Sequence, residues 1–406
     1  MTALPDTEQA GASAAASSRR RAGLLVLAIS TFVVVTTELL PVGLLPLISD
    51  DLRVTQSRAG LLVTVYAFTV GLTAAPLTAW TSRWPRKRLF IGVCAMFTLG
   101  TVLSGLAVDY PTLLLARFLC GIAHGVFWSI IAGYAAALAD PGRTGRATSI
   151  VFAGNSAALV LGVPLGTTLG TAAGWRTAFW VMALLALVTV AAALRVLPHI
   201  PGGAVPQPAD TLKVLRLPQL RPAVAATALL TLGHFALYTY ITPLLHQAGT
   251  TDAVVGALLS IYGLAGLAGT WLSGMLVDRR PRLAMFGAAA LMAIALAALG
   301  LGAHLSPIAT TAIALWGFAL ASLPVSLQTA VLRLGATAPD VASSWYVAAF
   351  NLGIGGGALI GGLLLATAGV TILPWTALTV VGLAGAVIWG ARAAFSQNSR
   401  PSDPAT

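Results

Sequence analysis

Charge is scarce in this sequence. Only 9% of its 406 residues are Asp, Glu, Lys or Arg, while 57% are hydrophobic. Soluble domains carry about 25% charged residues, so the shortage excludes a soluble globular domain and points to a polytopic membrane protein. Lysine is scarcer still. The two lysines, Lys87 and Lys213, lie outside any Gly-x-x-x-x-Gly-Lys-Ser/Thr loop, which excludes a phosphate-cradling ATP site and with it a primary pump. Cysteine is limited to Cys94 and Cys120, both in apolar segments. Two such thiols form no disulfide framework and read as small hydrophobes. The histidines, at 124, 199, 234, 246 and 304, are scattered. They show no ligand spacing, so neither a metal centre nor a clustered enzyme site is expected.

What is abundant is apolar sequence in long runs. A spanning helix needs about 20 apolar residues. Twelve such segments emerge: 22–48, 58–80, 88–107, 111–137, 147–170, 175–197, 223–247, 253–277, 283–303, 307–334, 341–366 and 371–395. The longest break, 198–222, is proline-rich and basic and splits the chain into six plus six. The reading is an all-α membrane protein of twelve transmembrane helices in two six-helix, pseudo-symmetric bundles. Its parts are a disordered cytoplasmic N-terminus (1–21), an N-terminal bundle (22–197), a cytoplasmic linker (198–222), a C-terminal bundle (223–395) and a cytoplasmic tail (396–406). The run Arg19, Arg20, Arg21 anchors an uncleaved first helix, because the apolar stretch after it is too long for a signal peptide. With the N-terminus inside, 19 of the 23 Lys and Arg fall on the cytoplasmic side, as orientation by positive loops requires. The net charge of +11 is thereby explained without a nucleic-acid partner.

The two halves align at a single offset of 196 residues (262 − 66). Gly60 pairs with Gly256, Leu62 with Leu258, Thr64 with Ser260, Tyr66 with Tyr262, Asn155 with Asn351 and Gly166 with Gly362. The loop "SRWPR" from Ser82 matches "DRRPR" from Asp278. Parallel six-helix repeats imply a two-fold axis along the membrane normal and a site between the halves.

Ionisable groups at membrane depth are costly and usually face a cavity or a partner. Glu38 lies about 24 Å from the inner end of span 1, and Arg117 about 9 Å below the outer end of span 4, at 1.5 Å per residue. Their depths are similar. A carboxylate–arginine pairing that opens and closes would bind and release a proton; a static salt bridge is the bland alternative. His124, in span 4, and His234, at the repeat-equivalent of Glu38, can titrate near neutral pH or serve as hydrogen-bonding contacts for a solute. Pro41, Pro46 and Pro243 fall near the outer ends of spans 1 and 7, where proline bends a helix. A solute pocket needs hydrogen bonds and aromatic faces. Its candidates are Tyr66, His124, Trp128, Asn155, His234, Tyr238, Tyr346 and Asn351, with Tyr240, Tyr262, Gln328 and Trp345 beside them. The glycine-rich "NLGIGGGALIGG" in span 11 reads as close helix packing.

Four motifs resemble the major facilitator superfamily over essentially the whole chain after residue 21. The loop "TAWTSRWPRKRLF" keeps Arg83, Arg86 and Lys87 of a pattern Gly-x-x-x-Asp-Arg-x-Gly-Arg-Arg/Lys, with Ser82 in place of the Asp. Its second copy has Gly274, Asp278, Arg279 and Arg282. "RFLCGIAHG" matches Arg-x-x-x-Gly-x-x-x-Gly at Arg117, Gly121 and Gly125. "GNSAALVLGVPLGTTLG" resembles the antiporter signature at Gly154, Gly162, Pro164 and Gly166. The chain is most similar to twelve-span drug/proton antiporters, above all bacterial sugar efflux transporters and actinobacterial chloramphenicol exporters. The resemblance implies alternating-access export of a sugar such as arabinose or a thiogalactoside, or of a drug-like solute, driven by protons through Glu38 and Arg117. The basic loops would latch the cytoplasmic side. It further implies no cofactor beyond the proton gradient, no enzymatic activity, a functional monomer, and residence in the bacterial inner membrane with both termini cytoplasmic. Import by symport, and a signalling or scaffold role, are the other readings open to the sequence.

Overall fold

The structure, a computed structural model, describes residues 6–81, 83–139, 144–202, 217–218, 220–277, 280–304, 306–334 and 339–391. Among these, twelve helices are long and apolar enough to cross a membrane, and there is no strand. In hydrocarbon every backbone polar group must be bonded internally, which an α-helix achieves within one segment.

Spans 1–6 and spans 7–12 pack by the same scheme. Span 1 lies on spans 5 and 6, and span 7 on spans 11 and 12. Span 2 lies on span 4, and span 8 on span 10. Span 3 lies on span 6, and span 9 on span 12. The repeat extends to individual hydrogen bonds. Span 1 breaks at Leu44, and the short helix Leu45–Asp51 follows; span 7 breaks at Tyr240, and Ile241–Gln247 follows. Both pairs are 196 residues apart (240 − 44). Each short helix ends in one capping motif. Val54 N donates to Ser49 O at 2.9 Å, and Thr250 N to Leu245 O at 3.1 Å. The residue before each donor is left-handed: Arg53 at φ 54 and Gly249 at φ 88. Glycine is the residue suited to that position; the N-half carries the conformation on an arginine.

Three expectations change. The first helix is not preceded by an irregular tail up to residue 21, because it runs unbroken from Asp6 to Gly43. The alanines and the Glu8–Gln9 pair there favour helix. Span 1, expected to run to residue 48, ends as a continuous helix at Gly43, and its repeat partner span 7, expected to run to residue 247, ends at Tyr238. Span 5 is interrupted by a π-helical turn, Ala158–Gly162, between the helices Thr144–Ala157 and Val163–Ala173. Pro164 follows that turn. Proline lacks an N–H and crowds the carbonyl four residues back, and a wider turn relieves the crowding.

The halves meet along two seams. Spans 2 and 11 pack together, with Gly71 against Asn351 and Gly355 against Phe68. The π turn of span 5 meets span 8, with Leu159 against Gly263. At the end of the bundle that carries Asp51, Thr242 Oγ1 donates to Val42 O at 3.2 Å across the halves. Tyr240 wedges there between Gly60 and Gly362.

Candidate ion-coupling and solute site

Pro41 organises the centre of the N-half. In an α-helix the N–H of residue 41 would bond the carbonyl of residue 37. Proline has no N–H, so the Thr37 carbonyl is left free inside the membrane. Arg117 takes it: Nη1 donates to Thr37 O at 3.0 Å, Nη2 to Glu38 O at 2.8 Å and Nε to Leu62 O at 3.4 Å. Its side chain is fully buried, and its guanidinium sits 4.1 Å from the centre of the Tyr66 ring, a cation–π arrangement. Pro46 acts likewise at the helix break. The carbonyl it frees, that of Val42, is the one bonded by Thr242.

The pairing expected between the Arg117 guanidinium and the Glu38 carboxylate takes a different form. Arg117 holds backbone carbonyls, and the ionisable side chain facing the carboxylate is His124, with Nε2 3.8 Å from Glu38 Oε2. Tyr66 closes the far side, its hydroxyl 2.6 Å from His124 Nδ1. With Tyr66 donating to Nδ1, the imidazole N–H lies on Nε2, toward Glu38. Four of the sequence candidates therefore form one cluster: Glu38, His124, Tyr66 and Arg117. Trp128 borders it, with its ring 6.0 Å from His124 and 5.5 Å from Phe152.

The C-half presents an aromatic box at the equivalent place. His234 stacks on Tyr238 at 4.8 Å and 25° and meets Trp316 edge-on at 5.1 Å. Tyr262 stands 5.1 Å from Tyr238 and 5.7 Å from Trp316. His234, Tyr238, Tyr262 and Trp316 are all buried. His234 Nδ1, Tyr262 Oη and Trp316 Nε1 are buried without a hydrogen-bond partner, and each such atom costs about 1–3 kcal/mol. The sequence pattern singles out His234 and Tyr238 for the solute and misses Trp316. Its signal is faint: its repeat partner is Cys120 (316 − 196), so the repeat gives no pairing to notice.

The remaining candidates are dispersed. Asn351 Nδ2 donates to Val347 O of its own helix at 3.0 Å, and its side chain lies in the seam with span 2. Asn155 is half-buried in span 5, just before the π turn. Tyr346 is buried beside Phe350, 5.9 Å away. The glycines of the span 5 motif serve close packing: a Cβ added at Gly154 would strike the Ala28 carbonyl, and one at Gly162 the Thr36 hydroxyl. Gly166 faces Leu40 in the same stripe, and Pro164 opens the helix after the π turn.

In the first basic loop, Lys87 Nζ donates to Leu194 O at 2.8 Å and the Arg86 amide to Ile200 O at 2.8 Å. Arg83 lies against Gly202. This loop is thus bound to the end of span 6 within its own half. In the second loop, Gly274 and Arg282 belong to the helices Asp252–Val277 and Pro281–Gly302, while Asp278 and Arg279 lie outside the described residues.

Comparison with known proteins agrees with this architecture. A family model for the Major Facilitator Superfamily matches residues 27–358. A probable sugar efflux transporter of Mannheimia succiniciproducens is 35% identical over 370 residues, 90% of each chain. A chloramphenicol efflux pump of Mycobacterium tuberculosis is 35% identical over 383 residues, again 90% of each. A bacterial homologue of the human lysosomal transporter Spinster, solved inward-facing and occupied, shares the fold with a TM-score of 0.73 at 17% identity. That match covers 95% of this chain and 99% of the other. Twelve apolar helices in two repeated bundles, an ionic cluster in one half and a family match spanning both together make this multi-pass membrane protein a member of the major facilitator superfamily, a family of transporters and not of enzymes.

Proposed function

We propose that this chain is a proton-coupled secondary transporter that exports a small neutral solute by alternating access, with a sugar such as arabinose or a thiogalactoside as its cargo. The observation that carries the reading is Glu38: a carboxylate with 15% side-chain exposure, in a membrane helix, faced by a histidine at 3.8 Å. Arg117 is occupied by carbonyls, so it sets the field at Glu38 without locking the carboxylate in a bidentate pair. His124, with Tyr66 behind it, directs its Nε2–H at the Glu38 carboxylate and so orients the group that takes the proton.

The basic loops orient the chain with both termini cytoplasmic, in the inner membrane of a bacterium. The Asp51 end is then the outer one, and the seam there, held by the Thr242–Val42 bond and Tyr240, is the outer gate of the proposed cycle. Opening outward breaks the Thr242–Val42 bond and withdraws Tyr240 from Gly60. Solute leaves and Glu38 takes a proton from outside; the return stroke carries that proton in and frees the site for the next solute. The proton gradient is the energy source, no cofactor is needed, and one chain suffices. A second reading, export of chloramphenicol or a similar drug, is favoured by the mycobacterial relative, which matches at the same 35% identity.

The test is uptake of labelled arabinose into proteoliposomes under an imposed pH gradient, wild type beside Glu38→Gln. Gradient-driven accumulation that disappears in the variant is the expected result. Accumulation that survives removes Glu38 as the proton site. A wild type that moves chloramphenicol and not arabinose keeps the antiporter and replaces the cargo.

A further inference from the structure

Buried polar groups in folded proteins are almost always hydrogen-bonded. The aromatic box of the C-half holds three that are not: His234 Nδ1, Tyr262 Oη and Trp316 Nε1. Their rings are in mutual contact, with His234–Trp316 at 5.1 Å, Tyr262–Trp316 at 5.7 Å and His234–Tyr262 at 6.3 Å. His234, Tyr262 and Trp316 are 1%, 6% and 0% exposed, so bulk water does not serve them. Indole N–H can only donate, while the phenol and the imidazole can donate or accept. The cluster thus offers a fixed donor, two adaptable groups and flat ring faces.

Its charge is equally informative. At the repeat positions of Glu38 and Arg117 the C-half has His234 and Ile313 (38 + 196, 117 + 196). The carboxylate and guanidinium that would hold a charged solute are replaced by an imidazole and an alkyl chain.

We propose that His234, Tyr262 and Trp316 form the solute subsite of the C-half, taking a neutral, hydroxyl-bearing solute whose oxygen accepts from Trp316 Nε1–H and whose apolar face lies on Tyr238 and Tyr262. Sugars and chloramphenicol share that chemistry, so the subsite serves either cargo. The inference rests on the transporter reading above and adds to it the residues that select the solute. Trp316 is the specificity determinant, because its donor cannot be reversed.

The experiment uses the full chain purified in detergent, with chloramphenicol and isopropyl thiogalactoside as probes. Binding is read by the rise in melting temperature and by direct titration, in wild type, Trp316→Phe and Tyr262→Phe. Each variant is expected to weaken binding of the active probe about tenfold. Tyr262→Phe removes one oxygen and keeps the ring, so its unliganded melting temperature should hold or rise while its ligand-induced shift shrinks. A merely structural role would lower the first and spare the second. Variants that bind as wild type would mean that the three atoms serve ordered water only, and would overturn the subsite. If such wild-type-like variants also export the probe, the subsite alone falls and the transporter reading stands. A wild type that neither binds nor moves either probe overturns subsite and cargo together.

Discussion

Glu38 and His234 occupy the same place in two copies of one repeat, in opposite surroundings. Around Glu38 lie His124, Tyr66 and a buried arginine. Around His234 lie Phe235, Tyr238, Tyr262 and Trp316. The backbone beneath the two sites is the same. A Cβ on Gly121 would meet the Tyr66 carbonyl, and one on Gly317 the Tyr262 carbonyl; both pairs are related by the 196-residue offset (317 − 121, 262 − 66). Spans 4 and 10 therefore approach spans 2 and 8 alike, and at these two sites the difference lies in the side chains. One scaffold has been fitted with an ion-handling cluster on one side and an aromatic one on the other. The lesson is that symmetry in packing carries no obligation to symmetry in chemistry.

Paired substitutions separate the two roles most sharply. His124→Gln, which removes the Nε2–H facing the Glu38 carboxylate, should reduce gradient-driven transport about 100-fold, the scale on which a positioned group at a proton-transfer site matters. His234→Gln should weaken solute affinity and leave the number of protons moved per solute unchanged. Flux measured with a pH-sensitive dye beside labelled solute reports both quantities. Equal loss of coupling in the two variants would erase the division between halves.

A smaller effect concerns what holds the ionic cluster in shape. Arg117→Ala leaves the proline-freed Thr37 carbonyl unbonded and removes the second hydrogen bonds to the Glu38 and Leu62 carbonyls, which should cost about 3 kcal/mol. Thermal unfolding in detergent measures it. Arg117→Lys should recover only part, since an ammonium cannot span three carbonyls as the guanidinium fork does. The equivalent change in the other half, Ile313→Ala, should cost no more than a core truncation, and full recovery by lysine would show that charge alone is required.

The smallest effect is at the rim of the N-half. Arg176 hydrogen-bonds Asp51 and the Ala107 carbonyl, and the Trp175 indole N–H adds to Asp51 at 3.1 Å. The Arg176 bond holds the Asp51 carboxyl below its ordinary pKa, against a weaker upward push from burial. A carboxylate depressed in the folded state stabilises fully above its unfolded pKa and loses that contribution as pH falls through the depressed value. The difference in melting temperature between wild type and Asp51→Asn should thus be constant above about pH 5 and shrink toward zero below about pH 3. A difference independent of pH would mean that the Trp175 and packing contacts dominate.

Much of this architecture is legible in the amino-acid order. Glu38 stands out because a carboxylate in a membrane run has few benign explanations, and the repeat because one offset recurs in separate regions. Other features resist reading for identifiable reasons. The partner of Arg117 depends on which carbonyl Pro41 leaves free, and that follows only once residues 37–41 are known to be helical. Asn155 and Asn351 look equivalent by offset, yet Asn351 is bonded along its own helix and lies in a seam. Trp316 gives no sign of its role, because tryptophan in a membrane helix usually packs or anchors, and only its burial with an unpartnered N–H sets it apart.

The twelve spans, the six-plus-six division and an ionisable group at membrane depth all follow from the order of residues alone. Each depends on local composition, and hydrocarbon tolerates one backbone solution for a long apolar run. That His124 and not Arg117 faces the Glu38 carboxylate, and that three unpaired polar atoms gather around His234, emerges only once the helices are packed. Those outcomes depend on how helices rotate and approach, and rotation is set by packing between segments distant along the chain.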